Sequence, residues 1–262
     1  MRVALTGGAT GIGAEIAAKL MAAGHEVTAF DIGEPGESVT RWIKTDLSDP
    51  ASINAAIEAV DGPFDALLNN AGLPPRDGLE ELILRVNYYG MKQFLDGMLD
   101  KLAEGAAIVN TASRAGAAWR ENLDDVKALA GTPADDLAGF IAERGITPTR
   151  AYNLSKEAVI ALTLAYTEDM IARGFRMNSV SPAAVSTGIL DDFAAAFGDR
   201  MARNVARVGR PGYPAEVADV IIYLASPESA WIKGQDFVVD GGMSALALSD
   251  ALELSDIAGT RP

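Results

Sequence analysis

The chain has 262 residues, a formal net charge of −14, no cysteine and a single histidine, His25. That length suits one α/β domain with a large core. The missing cysteines exclude disulfides, thiol nucleophiles and iron–sulfur ligation, and the lone histidine excludes His-based metal sites and Ser-His-Asp triads. An acidic chain repels nucleic acid and anionic lipid, so neither is expected as a partner.

A strand-like run, RVALT, leads into a Gly-rich turn and a helical stretch, AEIAAKLMAAG. His25 follows, at a helix-to-strand turn, where a surface position is expected. EVTAF ends a second strand at Asp31, and WIKTDL reads as a third, ending near Asp46. Ser48-Asp49-Pro50 is a helix start signal ahead of ASINAAIEAV. FDALLNNAG is a buried strand running into a turn. LILRVNYYGMKQFLDGMLDKLAEG has the period of a long helix, and AAIVNTAS is the next strand. Residues 114–150 follow, then a second long helix, AYNLSKEAVIALTLAYTEDMIARG, the strand FRMNSVSP, the helix AEVADVIIYLAS and a last strand, DFVVDGG. Strands alternating with helices predict one doubly wound parallel sheet of Rossmann-like α/β type, with ligands at the carboxyl ends of its strands. No repeat or linker divides the chain, so residues 1–262 read as a single domain. No apolar run approaches the about 20 residues of a membrane span. The opening Met1-Arg2 runs directly into a strand and leaves no room for a targeting segment, so a cytoplasmic location is expected.

The paired carboxylates Asp124-Asp125, Asp135-Asp136 and Asp191-Asp192 read as solvated helix faces, because adjacent residues do not face each other on a helix. No metal site is expected. Residues 6–13, TGGATGIG, stand between a strand and a helix. Gly7, Gly11 and Gly13 there permit a tight turn and close approach to a bound group, and the helix N-terminus offers free N–H groups to a pyrophosphate. The bland alternative is a turn made for packing. Asp31 follows the last of these glycines by 31 − 13 = 18 residues, near the ~20 expected for the acid that bonds the adenosine ribose. A carboxylate at that point favours NAD over NADP, and neither Ala9-Thr10 nor Ile32-Gly33 supplies a cation for a 2′-phosphate. The alternative for Asp31 is a plain strand-end carboxylate. Tyr152 and Lys156 stand four residues apart, one helical turn, a spacing that also occurs by chance.

Taken in order, TGGATGIG, Asp31, Asp46-Leu47, NNAG at 69–72, Asn87, Ser113 and YNLSK resemble the motif set of the short-chain dehydrogenase/reductase family. GRPGYPAEVADVIIYLASPESAWIKGQDFVVDGG is similar to that family's C-terminal part, so the resemblance covers roughly residues 1–242. It implies that Tyr152 is the acid/base, Lys156 its partner, Ser113 the hydrogen bonder to substrate and Asn87 a proton-relay residue. Lys156 would also bond the nicotinamide ribose. An ammonium one turn away, with the positive nicotinamide ring, is expected to lower the phenol's pKa from ~10. The packing alternatives are a strand-end cap for Ser113 and a polar kink for Asn87. The resemblance assigns Gly7, Thr10, Gly11, Ile12, Gly13, Asp31, Asp46, Leu47, Asn70, Ala71, Gly72, Tyr152 and Lys156 to the cofactor. In SPAAVST, residues 181–187, Ala183 replaces the family's usual glycine after Pro182. The family sets the nicotinamide amide against this stretch, so Pro182, Val185 and Thr187 join the set.

Ser113 and Tyr152 are 152 − 113 = 39 residues apart, a longer connection than the family usually has. The insert, 114–150, reads as two short amphipathic helices, the second starting at Thr132-Pro133-Ala134-Asp135. It serves as an active-site lid or as a packing and subunit contact. Together with the short segment between NNAG and Asn87, it resembles the 3α-hydroxysteroid dehydrogenase/carbonyl reductase branch. That likeness implies a homo-oligomer, with a dimer preferred to a tetramer. Ser113, Arg114 and Trp119 are candidate substrate contacts; Trp119, Leu123 and Phe140 either line an apolar pocket or form the insert's own core. The tail from Met243 to Pro262 packs near the site or on a partner subunit. The expected activity is NAD-dependent interconversion of a small-molecule secondary alcohol and a ketone, with an alicyclic, steroid-like or aromatic substrate. The rivals are a 3-oxoacyl-type reductase and a non-catalytic NAD-binding sensor or scaffold.

Overall fold

A computed structural model describes residues 1–258; the last four residues of the tail lie outside the described residues. Seven strands form one sheet: β1 (Arg2–Thr6), β2 (Glu26–Asp31), β3 (Arg41–Lys44), β4 (Phe64–Asn69), β5 (Leu102–Thr111), β6 (Arg176–Pro182) and β7 (Asp236–Val239). The order is β3-β2-β1-β4-β5-β6-β7, and every neighbouring pair is parallel. The helices, in chain order, are α1 (Gly11–Ala22), α2 (Pro50–Glu58), α3 (Glu80–Leu84), α4 (Met91–Met98), α5 (Leu123–Gly131), α6 (Leu137–Arg144), α7 (Pro148–Ala165), α8 (Thr167–Ala172), α9 (Leu190–Val208), α10 (Pro214–Ala225), α11 (Met243–Ala251) and α12 (Ser255–Ala258).

The pleat of the central strands sorts the core into two layers. Ala4, Leu67 and Ile108 face α4 and α7, where they pack with Phe30, Phe94, Leu95 and Leu154. Their strand neighbours Val3, Leu5, Ala66, Leu68 and Val109 face the other way, onto Ile16, Leu20, Val217, Ile221 and Leu224 of α1 and α10. Truncating a fully buried residue such as Leu67 to Ala costs about 2–5 kcal/mol. The sheet order reverses between β1 and β4, so a crevice opens outside the carboxyl ends of these two strands. Among the described residues, no helix is long and apolar enough to cross a membrane.

Several elements differ from the sequence reading. The third strand ends at Lys44, because the Asp46 carboxylate accepts from both Ser48 N and Ser48 Oγ and turns the chain. Asp49 and Pro50 do start α2, with Asp49 Oδ1 accepting from Ala51 N at 2.9 Å. The long helix expected after NNAG is three pieces: α3, a wider π-helical turn at Arg85–Gly90, and α4. Its last residues, LAEG, open β5 instead. The second long helix begins at Pro148, capped by Thr147 Oγ1, and is divided into α7 and α8 at Tyr166. Thr132 does not open the second insert helix. Its hydroxyl donates back to Ala128 O at 2.8 Å, closing α5, and α6 begins at Leu137 after a 3-10 turn. His25 is half-buried, with Nδ1 3.0 Å from the Met1 amino group.

Candidate active site

The carboxyl end of β1 meets the NNAG turn after β4. Thr6 Oγ1 accepts from Asn70 N at 3.0 Å and from Ala71 N at 3.1 Å, and Asn70 Nδ2 donates to Gly7 O at 3.1 Å. Gly7 has a φ of +71°, and a Cβ on it would stand 2.7 Å from Ala71 Cα. A Cβ on Gly13 would fall on the Gly7 carbonyl, so the first turn of α1 sits directly over the loop. The N-cap residue of α1, Thr10, makes no side-chain cap, and no acid occupies the first turn. The N–H groups there remain available to an anion. The Asp31 carboxylate stands beside this loop, accepting from Ala9 N at 2.9 Å and Gly33 N at 3.0 Å. This cradle, the uncapped helix end and the adjacent carboxylate fit a dinucleotide.

Gly7, Thr10, Gly11, Ile12, Asp31, Asp46, Leu47, Asn70, Ala71, Gly72, Pro182, Val185 and Thr187 line one cleft of about 1000 Å³. Thr187 crosses it, its Cγ2 lying 3.3 Å from where a Gly11 Cβ would be. The 181–187 stretch is held by backbone bonds from Gly212 N to Ala184 O and from Ser186 N to Gly212 O. Ala183 extends the pairing of β6 with β7 by donating to Val239 O. Its φ is not positive, which explains how alanine replaces glycine there. Gly13 lies under the loop rather than on the cleft wall.

Ser113, Arg114, Tyr152 and Lys156 line the same cleft. Tyr152 is buried, and the Ser113 hydroxyl stands beside it in the cleft and opposes the rise of its pKa. Ser113 Oγ also accepts from Ala115 N at 3.2 Å, so it caps the 3-10 turn at Arg114–Gly116 as well. Lys156 Nζ stands 5.9 Å from the centroid of the Tyr152 ring and donates to Thr111 O at 2.8 Å. Burial pushes the Tyr152 phenol up to about 12, opposed by the Ser113 hydrogen bond, and brings the Lys156 ammonium down to about 8. In the chain without its dinucleotide, desolvation dominates both groups.

Asn87 sits in the π-helical turn, a frequent feature of functional sites. Its Oδ1 accepts from Leu73 N at 2.7 Å, and its Nδ2 donates to Leu73 O and to Ser155 Oγ. A Cβ on Gly72 would lie 3.2 Å from Asn87 Oδ1 and 3.3 Å from Lys156 Nζ, so Gly72 lets these two groups crowd one spot. A Cβ on Gly90, at the end of the same turn, would overlap the Leu47 carbonyl.

The insert lies on α7. A Cβ on Gly116 would stand 2.7 Å from the Lys156 carbonyl carbon. Glu157, buried beside Lys156, accepts from Asn122 Nδ2 at 2.7 Å and Arg150 Nη1 at 2.8 Å. Arg150 also reaches Asp125, which pairs with Arg144. Trp119 is placed differently from the expectation. It packs on the core with the Arg120 guanidinium over its ring and does not line the cleft. Phe140 is likewise buried in the core, with Val126, Leu129 and Leu137, so it joins the insert's own packing. Arg114 reaches the cleft, yet its Nε donates to Ser244 Oγ at 2.9 Å and lies 3.4 Å from Asp240 Oδ2. That ties the site to the start of α11, whose Met243 also lines the cleft.

The sequence reading missed α9. Ile189, Phe193, Phe197 and Met201 line the cleft from this segment; the first three, spaced by four, were a readable helical stripe, and Met201 follows a break in the helix at Gly198. No group of three or more His, Asp or Glu side chains placed to hold a metal occurs among the described residues.

Comparison with known proteins bears on this geometry. The pattern for short chain dehydrogenase matches residues 2–123, and that for Enoyl-(Acyl carrier protein) reductase matches residues 137–244. The chain is 32% identical over 247 residues to the coniferyl-alcohol dehydrogenase of Pseudomonas sp. (strain HR199), covering 93% of this chain and 96% of that one. It is 30% identical over 255 residues to the 3-alpha-hydroxysteroid dehydrogenase/carbonyl reductase of Comamonas testosteroni, covering 93% and 96%. The crystal structure of the 3-alpha-hydroxysteroid dehydrogenase from Pseudomonas sp. B-0831, complexed with NADH, superposes with a TM-score of 0.83 at 34% identity, covering 94% of this chain and 98% of that one. The chain therefore belongs to the short-chain dehydrogenase/reductase family. Within it, the chain falls in the hydroxysteroid dehydrogenase branch, among oxidoreductases that interconvert alcohols and ketones with a nicotinamide cofactor.

Proposed function

We propose that the chain is an NAD-dependent oxidoreductase acting on a secondary alcohol or its ketone, with Tyr152 as acid/base and an alicyclic, steroid-like or aromatic substrate. The observation that carries this is the meeting of Ser113, Tyr152 and Lys156 in the cleft that also holds the Gly-rich cradle and Asp31. The apolar far side of the cleft, with Phe193, Phe197 and Met201, suits a ring-bearing substrate.

When bound, the nicotinamide supplies the hydride acceptor or donor and, oxidised, a positive charge that favours tyrosinate. Ser113 holds the substrate oxygen. Tyr152 takes the hydroxyl proton in oxidation and returns a proton to the oxygen in reduction. Lys156 holds the nicotinamide ribose and, with a pKa near 8, exchanges protons near neutral pH. Asn87, buried on the far side of Gly72 from Lys156, is the relay residue of this reading. Asp31 carries the adenosine ribose and repels a 2′-phosphate.

A homodimer accompanies this reading. Trp231, Tyr223 of α10 and Val238 of the edge strand β7 are exposed at 96%, 47% and 48%, and exposed large apolar side chains suit a subunit contact.

The test is the initial rate of NADH formation with NAD and a panel of hydroxysteroids, cyclic alcohols, aryl carbinols and polyols, with NADP in parallel. Turnover of a ring-bearing class with NAD is the expected result. Turnover with NADP alone overturns the role of Asp31, and dinucleotide binding without any turnover favours the sensor reading.

A further inference from the structure

The chain turns sharply after β7. Gly241 and Gly242 both have positive φ, +63° and +94°, and α11 begins directly after them, at Met243. Asp240 holds this turn: its Oδ1 accepts from Gly242 N at 2.9 Å and its Oδ2 from Ser244 N at 2.7 Å. Burial pushes the Asp240 carboxyl up, but the bonds from Ser244 and Gly242 and the nearby Arg114 guanidinium outweigh it and hold the group below its ordinary value. The acid is therefore charged at neutral pH. The side chains of Arg114 and Asp240 are 19% and 7% exposed, with 3.4 Å between Nε and Oδ2. Arg114 Nε also donates to Ser244 Oγ at 2.9 Å.

Arg114 is itself well anchored. It follows Ser113, in the 3-10 turn that Ser113 Oγ caps. Gly116 of that turn packs so closely on the Lys156 carbonyl that no Cβ fits between them. From this fixed point the Arg114 side chain reaches across to the turn after β7. What it holds there is Met243. That side chain is 6% exposed, joins neither layer of the core among the described residues, and borders the cleft. In the sheet order β7 lies four places from β1 and beyond β5, about 19 Å from β1 at ~4.8 Å per strand. Met243 therefore stands on the Ser113 side of the cleft, away from the Gly-rich cradle.

We propose that Met243 is a specificity residue and that Arg114 is its positioning residue. Met243 forms the wall that meets the ring of the substrate. Arg114, engaged with Asp240 and Ser244, sets how far that wall projects into the cleft. A thioether chain fills irregular gaps and makes favourable contacts with aromatic ring edges, so an aryl group suits this wall. Arg114 then acts on the substrate through Met243 rather than by touching it. The inference rests on the dehydrogenase reading and deepens it: the size of the accepted ring is set at the turn after β7.

The experiment compares methyl phenyl carbinol with methyl 2-naphthyl carbinol, which differ by one fused ring. kcat/KM with NAD is measured for the full chain, Met243→Ala, Arg114→Leu and the double variant, and NAD affinity is measured by calorimetry. Met243→Ala is expected to raise the naphthyl-to-phenyl ratio about 10-fold, the scale of a small change of volume in an apolar pocket. Arg114→Leu is expected to raise the ratio about 3-fold, and the double variant to match Met243→Ala alone, because Arg114 then has nothing left to place. A ratio unmoved in Met243→Ala overturns the proposal. So does a loss of NAD affinity in that variant, which places the residue at the cofactor. Arg114→Leu overturns the positioning role if it lowers both substrates equally, or if its effect multiplies with that of Met243→Ala. If Arg114→Leu does not fold, Ser244→Ala replaces it, with a rise in the same direction expected and an unmoved ratio counting against the role. If neither alcohol is turned over while NAD binds, the dehydrogenase reading fails by itself. The affinity ratio of the two corresponding ketones, measured by calorimetry with NADH present, then decides on Met243: a shift in Met243→Ala supports the wall, and an unmoved ratio or ketones that do not bind refute it.

Discussion

Phe193 of α9 meets Tyr152 edge to face, with ring centroids 5.3 Å apart and an interplanar angle of 65°. Phe193 in turn stacks on Phe197 at 6.3 Å. The segment between β6 and α10 thus closes an aromatic cover over the phenol and helps to keep water from it. Removing that cover in Phe193→Ala is expected to lower kcat/KM about 10-fold, near the upper end of the ~0.5–1.5 kcal/mol assigned to an aromatic pair. The folding midpoint should change little, because Phe193 is only half-buried. Steady-state kinetics beside a melting curve check this, and unchanged kinetics would remove α9 from the site.

Lys156 links the site to stability. Its pKa is brought down from 10.5 to about 8 by burial. Below about pH 8 both folded and unfolded chains carry the proton, and the folded state bears the full penalty of burying the charge. Above 10.5 neither carries it and the penalty is gone. The stability of the wild type relative to Lys156→Met should therefore move in the wild type's favour between these two values. Denaturant titrations of both proteins across that range measure it; a flat difference would contradict the burial argument.

The buried carboxylate next to Lys156 makes an asymmetric prediction. The Glu157 side chain is 1% exposed and Arg150 24%. Arg150→Met strands the Glu157 charge with Asn122 as its remaining donor, and should destabilise by about 3–5 kcal/mol. Glu157→Gln leaves Arg150 with Asp125 and solvent, and should cost less. Urea midpoints decide the order. In Arg150→Met, hydrogen exchange across 117–147 should quicken first, because this pair fastens the insert to α7.

Asp31 carries the cofactor preference. Asp31→Ser removes a negative charge from beside the expected 2′ position and should shift the NADP/NAD ratio of kcat/KM upward by about 10-fold, ~1.4 kcal/mol. The Ala9 and Gly33 amides lose their acceptor, so some weakening with both dinucleotides accompanies the shift. An unchanged ratio would locate the preference elsewhere.

The residues at strand ends were legible in the sequence, because glycines, an acid at the end of β2 and a YxxxK spacing each answer to local geometry. The parallel sheet followed from alternation of apolar runs. What resisted reading depended on contacts between distant segments. The π-helical turn holding Asn87 is shaped where Gly90 admits the Leu47 carbonyl, and LAEG joins β5 through pairing that begins at Phe64 and Leu102, although its composition suits a helix. Trp119 and Phe140 carry the same apolar signal whether they face a ligand or the core, and the structure turns both inward. In α9 the charged residues mask the spacing of Ile189, Phe193 and Phe197.

The central claim is that Tyr152 transfers the proton while Lys156 and the Gly-rich cradle hold NAD. The most direct measurement is NADH formation from a ring-bearing secondary alcohol by the wild type and Tyr152→Phe, with NAD affinity determined on the same samples. The account predicts NAD binding retained and turnover reduced by at least about 100-fold, the scale of a lost general acid/base. Undiminished turnover in Tyr152→Phe would contradict it.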